Sequence, residues 1–248
     1  MIEKYRDISL INFGDRLLTI ACDSCGGVGL LEGDTVRADG FNVGYHTAFV
    51  ALAETMALGA EPLFITDTLS VSLSSYGKSI LYGIQSAAQE AGLDPKKAIT
   101  GSSEENFTVP STGIGVTVLG QLKKADFRQK PLESTYDTVV IGTPLVGDEV
   151  IQRKSEILTL TIIKNVTRQR YVLDLVPVGS KGILYETNQM AKTLGMDFHE
   201  TTANPDMIRK SAGPATCAVV AINKGSYERI KKLADIPVSL IGTFTKLI

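Results

Sequence analysis

The chain has 248 residues, of which 44% are hydrophobic, and 27 acidic against 25 basic side chains leave a net charge of −2. That is enough apolar material for one large or two modest cores without disulfide or metal staples, and the near-neutral charge with no Trp offers no basic footprint for nucleic acid. The start MIEKYRDISL lacks a signal core, and no apolar run approaches the roughly 18 residues of a membrane span, so the expectation is a cytoplasmic protein with neither a nucleic-acid nor a membrane partner.

In chain order, Leu17 to Cys22 is a short apolar run that meets Asp23-Ser-Cys-Gly-Gly-Val-Gly29, the pattern of a buried strand entering a glycine-rich loop. Val43, Phe49, Val50, Leu52, Ala53, Met56 and Ala57 cover one broad face of a helix predicted from Val43 to Leu58, which Gly59 stops and Pro62 keeps from resuming. A strand is predicted from Leu63 to Val71, and a helix from Ser75 to Ala91 carries Ile80, Leu81, Ile84, Ala87 and Ala88 before Gly92. Gly101 to Asn106 reads as a polar loop, and Ile114, Val116 and Val118 alternate in strand period between Gly113 and Gly120. The chain turns charged between Lys123 and Ser134 and carries Pro131, which places a boundary there, with domains at 1–124 and 135–248.

The second half starts a fresh apolar strand at Thr138 to Gly142. Further strands are predicted near 157–163, 171–176, 215–222 and 238–244, with helices near 180–194 and 225–234. Both halves are therefore α/β or α+β.

Chemistry concentrates in acids at or beside strand ends and loops: Asp23, Asp39, Glu54, Asp67, Glu104 and Glu105. A site handling phosphate needs such oxygens, because Mg²⁺ is a hard cation that binds carboxylates and phosphates while keeping waters. An acid in a loop is otherwise simply solvated, and His46, two turns from Glu54, reads as a structural histidine. No Walker A sequence occurs, and Gly26-Gly-Val-Gly29 is too short for a dinucleotide fingerprint. Cys22 and Cys25 form C-x-x-C, but distant Cys217 completes no four-thiolate zinc site, and the motif follows a strand where a thioredoxin-like pair would open a helix.

Three segments carry a resemblance. Leu18-Thr-Ile-Ala-Cys-Asp23-Ser-Cys-Gly-Gly-Val-Gly is similar to the first acidic, glycine-rich motif of the aminoimidazole ribonucleotide synthetase-like superfamily, which includes the thiamine monophosphate kinases. Glu54-Thr-Met-Ala-Leu-Gly-Ala-Glu-Pro resembles its helix bearing an acidic metal ligand, and Gly101-Ser-Ser-Glu104-Glu105-Asn, followed by Thr112-Gly-Ile-Gly-Val-Thr-Val-Leu-Gly, resembles its Gly-Gly-acid loop and following strand. In the second half, Gly179-Ser-Lys-Gly-Ile-Leu-Tyr-Glu186 and Lys210-Ser-Ala-Gly-Pro-Ala-Thr-Cys resemble a helix-opening turn and a late substrate-domain loop. Within the superfamily, the Gly-Ser-Ser-Glu-Glu-Asn-Phe segment and the short second half look most like the α-ribazole kinases.

The resemblance implies a two-domain fold with a mixed first sheet and an α/β second domain, ATP and Mg²⁺ as cofactors, a nucleoside-like substrate, and a homodimer joined through the first-domain sheets. It implies Asp23 and Glu54 as catalytic residues and Asp23, Asp39, Glu54 and either Glu104 or Glu105 as metal ligands. Gly26, Gly27, Gly29, Gly101, Ser102 and Ser103 would face the nucleotide. Exposed backbone on the strand around Ile114 to Leu119 would favour the same pairing. The adjacent catalytic lysine of the selenium-handling relatives is missing, since no Lys occurs between Lys4 and Lys78. The alternatives are another ATP-dependent chemistry of the superfamily or a non-catalytic nucleotide-binding protein.

Overall fold

The computed structural model describes residues 2–127, 131–201 and 204–246. The chain divides into two compact units, one of residues 1–56 and 60–125 and the other of residues 57–59 and 126–248.

The first unit runs β1 (Ile2–Tyr5), β2 (Ile8–Phe13), β3 (Arg16–Gly26), β4 (Val28–Gly29), β5 (Val36–Arg37), α1 (Gly40–Ala57), β6 (Glu61–Leu69), α2 (Ser75–Glu90), α3 (Pro95–Ala98), β7 (Ile99–Ser103) and β8 (Gly113–Lys123). Six strands form a mixed sheet in the order β1-β2-β3-β8-β6-β7, antiparallel except for the β6–β7 pair. Alternation sorts its faces: Leu17, Thr19 and Ala21 on β3 and Ile114, Val116 and Val118 on β8 are buried, while the residues between them stay partly open. Helix α1 lies on the buried face, where Thr55 Cγ2 and Thr19 Oγ1 occupy the space a Cβ at Gly120 would need. Helices α1 and α2 approach backbone to backbone. A Cβ at Gly44 would fall onto the Ile80 carbonyl, and one at Gly83 onto the Phe41 carbonyl, so close packing offsets the roughly 1 kcal/mol that each glycine costs a helix interior.

The second unit runs β9 (Thr135–Gly142), α4 (Asp148–Gln152), α5 (Leu160–Thr167), β10 (Val172–Pro177), α6 (Ile183–Leu194), β11 (Met196–Glu200), α7 (Pro205–Arg209), β12 (Cys217–Asn223), α8 (Tyr227–Lys231) and β13 (Val238–Lys246). Its sheet is antiparallel, in the order β10-β12-β9-β13-β11. Central β9 and β12 are buried on both faces, around a core that includes Val140, Val219, Ile241 and Phe244.

Several expectations are corrected. The region 157–163 becomes helix α5, because Leu-Thr-Leu-Thr mimics strand alternation while Thr159 accepts a hydrogen bond from Ile162 N–H at 3.2 Å and caps a helix with Ile162, Ile163 and Val166 inward. Strand β3 continues past Cys22 to Gly26, held by pairing along the whole of β8. Gly101 to Ser103 form edge strand β7 rather than loop. Strand β8 is central, so it exposes no edge; the edges are β1 and β7. Strands β1, β2 and β11 were not anticipated.

Candidate active site

The extra length of β3 decides where the acids sit. Asp23 falls on the same face as Thr19 and Ala21 and registers opposite Val116 on β8; Val116 registers opposite Asp67 on β6, and Asp67 opposite Gly101 on β7. Asp23, Val116, Asp67 and Gly101 therefore form one row across four strands on the helix-covered face. Asp67 is only 4% exposed, between Ile65 and Leu69, and its Oδ2 has no hydrogen-bond partner among the described residues. A Cβ at Gly101 would fall onto the Asp67 carboxylate, so glycine is what lets the acid lie there. Burial pushes the Asp67 carboxyl up to about 6. Burial likewise pushes Asp23 up to about 6, opposed by a hydrogen bond from the Ser24 backbone.

Cys25 shares the face of Asp23. Burial first and the Asp23 charge second raise its pKa, opposed by a hydrogen bond with Thr47 of α1. Cys22 lies on the other face, exposed, with Sγ 3.2 Å from Thr117 Oγ1. Residues three apart in a strand are about 10 Å apart at Cα, beyond the roughly 7 Å limit of a disulfide, so strand geometry separates the C-x-x-C thiols.

The glycine-rich segment is organised by Asp34, which sequence reasoning missed. This buried carboxylate accepts from Leu31 N–H (2.8 Å), Thr112 N–H (2.7 Å), Thr112 Oγ1 (2.7 Å) and Ser111 Oγ (2.9 Å), and its pKa is lowered because these bonds outweigh its burial. A Cβ at Gly29 would fall onto Tyr76 Oη, Thr112 Oγ1 and Asp34 Oδ2, so that glycine is needed for packing. Gly27 has φ +71° and donates its N–H to the Thr112 carbonyl at 3.0 Å. Nothing crowds Gly26.

The remaining acids are distributed. Asp39 caps α1, accepting from Asn42 N–H and from Asn42 Nδ2, both at 2.8 Å. Glu54 is half-buried on α1 beside Thr55, which packs at the level of Thr19, about 13 Å along β3 from Asp23. Glu104 Oε1 accepts from Asn106 N–H (2.7 Å) and Phe107 N–H (3.2 Å). Glu105 Oε1 accepts from Ser103 Oγ (2.6 Å) and Leu73 N–H (2.7 Å), bonds that lower its pKa and tie the end of β7 to the loop after β6. Ser102 points to the opposite face from Gly101 and Ser103. Among the described residues, no three His, Cys, Asp or Glu side chains stand together as a preformed metal shell.

In the second unit, Gly182 opens α6 with φ +85° beneath the Arg209 and Lys210 carbonyls. Lys210 Nζ is held by both oxygens of Glu149 at 2.8 and 2.7 Å.

Residues 6–122 match the family model described as AIR synthase related protein, N-terminal domain. The whole chain shares its two-unit fold with solved structures. A thiamine-monophosphate kinase from Stenotrophomonas maltophilia aligns with TM-score 0.65 and 19% identity, over 99% of this chain and 89% of that one. AaThiL complexed with AMPPCP and TMP aligns with TM-score 0.67 and 16% identity, over 97% and 85%. The hydrogenase maturation protein HypE of E. coli aligns with TM-score 0.67 and 17% identity, over 93% and 80%. At these identities the likeness establishes the fold, which is the AIR synthase-like one. No curated protein matches the chain in sequence.

Proposed function

We propose that this protein is an ATP-dependent kinase that moves the γ-phosphoryl group of ATP to a hydroxyl of a nucleoside-like substrate, with the 5′-hydroxyl of α-ribazole as acceptor. The observation that carries the reading is the placement of Asp23, desolvated and without an ion-pair partner among the described residues, on a fold shared with thiamine-monophosphate kinases. The α-ribazole assignment rests on the sequence resemblance around Gly101 to Phe107.

The donor set suits Mg²⁺. All the acids offer hard oxygens, and Mg²⁺ is commonly held by one or two carboxylates with phosphate oxygens and water completing its shell, so a preformed three-residue cage is not required. When bound, the ion would neutralise phosphate charge. Asp23 is the first ligand we assign. Glu54, and Glu104 or Glu105 through the oxygen not engaged in its loop, would act from flanking elements. The chain's own share of the chemistry is positioning: Asp34 fixes the glycine-rich segment against Thr112, and Glu105 fixes the end of β7 against Leu73. Phosphoryl transfer depends mainly on such orientation and charge neutralisation.

A second reading, phosphorylation of thiamine monophosphate, is favoured by the thiamine-monophosphate kinase likeness. Incubation with Mg-ATP and each acceptor in turn, with ADP and product followed by mass spectrometry, separates them. Phosphorylated α-ribazole is the expected product. Product from thiamine monophosphate alone would select the second reading, and ADP formation with neither would discard both. We also propose that the open face of the first sheet, which carries Leu18, Ile20 and Leu119, pairs two copies; a monomer in light scattering at micromolar concentration would contradict this.

A further inference from the structure

Tyr76, half-buried in the first turn of α2, does more than crowd Gly29. Its hydroxyl lies 2.9 Å from Thr112 Oγ1 and accepts from Leu30 N–H at 3.3 Å. Donor counting fixes the proton directions. Thr112 has one hydroxyl proton, which goes to the Asp34 carboxylate at 2.7 Å, so towards Tyr76 the Thr112 oxygen can only accept. Tyr76 therefore donates to Thr112 and keeps a lone pair for Leu30. The result is a directed chain from Leu30 N–H through the Tyr76 and Thr112 hydroxyls to Asp34 Oδ2, in which each bond polarises the next. The turn that carries Tyr76 is itself pinned. Leu73 N–H donates to Glu105 Oε1 at 2.7 Å, and a Cβ at Gly77 would fall onto the Ser72 carbonyl, so the entry to α2 closes tightly only with glycine there. This one turn thus touches both segments assigned to the nucleotide, the glycine-rich one through Tyr76 and the end of β7 through Leu73.

We propose that Tyr76 is a positioning residue for nucleotide binding, whose hydroxyl holds the segment from Gly26 to Leu30 in the shape that receives the ligand. The proposal rests on the kinase reading for the identity of that ligand. Without the hydroxyl, Leu30 N–H loses its acceptor and Thr112 loses its donor, so the segment spreads over other arrangements. Apparent affinity then falls in proportion to the fraction of molecules still competent to bind. A seated nucleotide orders the segment through its own contacts, so the step after binding is little altered. A tyrosine that served only as packing would change the unfolding of the first unit and leave the affinity of the folded protein alone.

The test compares the full chain with Tyr76→Phe, which removes the hydroxyl and keeps the ring. Calorimetric titration with AMPPCP in the presence of Mg²⁺ should show Kd raised about fivefold, the scale of one net hydrogen bond. In turnover, KM for ATP should rise by the same factor while kcat changes by less than about twofold. Hydrogen exchange of the nucleotide-free protein should quicken between residues 27 and 38 rather than across the first unit, and AMPPCP should restore it. Thr112→Val cuts the same chain one link further on. The double variant should therefore bind AMPPCP no more weakly than Thr112→Val alone, whereas two independent packing losses would add. Exchange quickened throughout the first unit, or additive losses in the double variant, would overturn the proposal. Wild type that binds AMPPCP no better than Tyr76→Phe would sink this role alone, and wild type that binds none would sink the kinase reading and this role with it.

Discussion

Asp67 in the first unit and Asp137 in the second are both strand aspartates in the interior of their sheets, 4% and 9% exposed, yet they are built differently. Asp137 on β9 accepts from Gly225 N–H at 2.8 Å and so anchors the turn after β12. Asp67 accepts nothing at Oδ2 from the described residues and sits over a glycine. Asp34, 8% exposed with four donors, falls on the Asp137 side of this divide. Burial alone therefore does not sort these acids; what separates them is whether their bonds are made within the fold.

The largest effect that would sharpen this comparison is on turnover. Asp23→Asn should lower the kinase rate at least a hundredfold, on the order of the several kcal/mol that metal-assisted charge stabilisation supplies, with an unchanged circular dichroism spectrum. Activity near wild type would remove Asp23 from the mechanism.

Next come the satisfied acids. Asp34→Ala strands the donors of Leu31, Ser111 and Thr112 and should cost about 2–4 kcal/mol in urea unfolding, and Asp137→Ala should cost about 1–3 kcal/mol. Asp67→Asn should be neutral or stabilising in the metal-free protein. If Asp67→Asn destabilised as much as Asp137→Ala, the two aspartates would belong to one class after all.

A smaller effect is pH dependence. The folded pKa of Asp67 lies above its ordinary value of 3.8, at about 6, so the neutral form is the favoured one in the fold. Its contribution to stability is complete below pH 3.8 and is lost as pH rises through about 6, on the order of 1–3 kcal/mol, and Asp23 acts in the same direction. Thermal melts of the metal-free protein should fall over that window, and Asp67→Asn should flatten the fall.

Much of this architecture is legible in the sequence, and the failures have physical causes. Strand β8 and helix α2 show because their apolar residues keep one period from end to end. The polar end of β3 does not, because Asp23-Ser-Cys-Gly has poor strand propensity and is held by its partner β8, a tertiary term that local pattern cannot carry. Asp67 was visible as an acid in phase with Ile65 and Leu69, on the face that should be apolar. Asp34 was not, since its donors at Ser111 and Thr112 lie more than seventy residues away. The C-x-x-C pair reads in the sequence as following a strand rather than opening a helix, and both thiols in fact lie within strand β3. Replacing both by Ser should keep turnover within about tenfold, the smallest change expected, because neither thiol is placed to react with the other. A folded but inactive double variant would bring thiol chemistry back.

The most direct measurement is phosphorus NMR of the wild-type protein with Mg-ATP and α-ribazole, run beside Asp23→Asn. The account predicts a new phosphomonoester resonance and stoichiometric ADP with wild type and neither with the variant. A phosphomonoester formed equally by both proteins, or ATP left intact by wild type with α-ribazole and thiamine monophosphate alike, would contradict it.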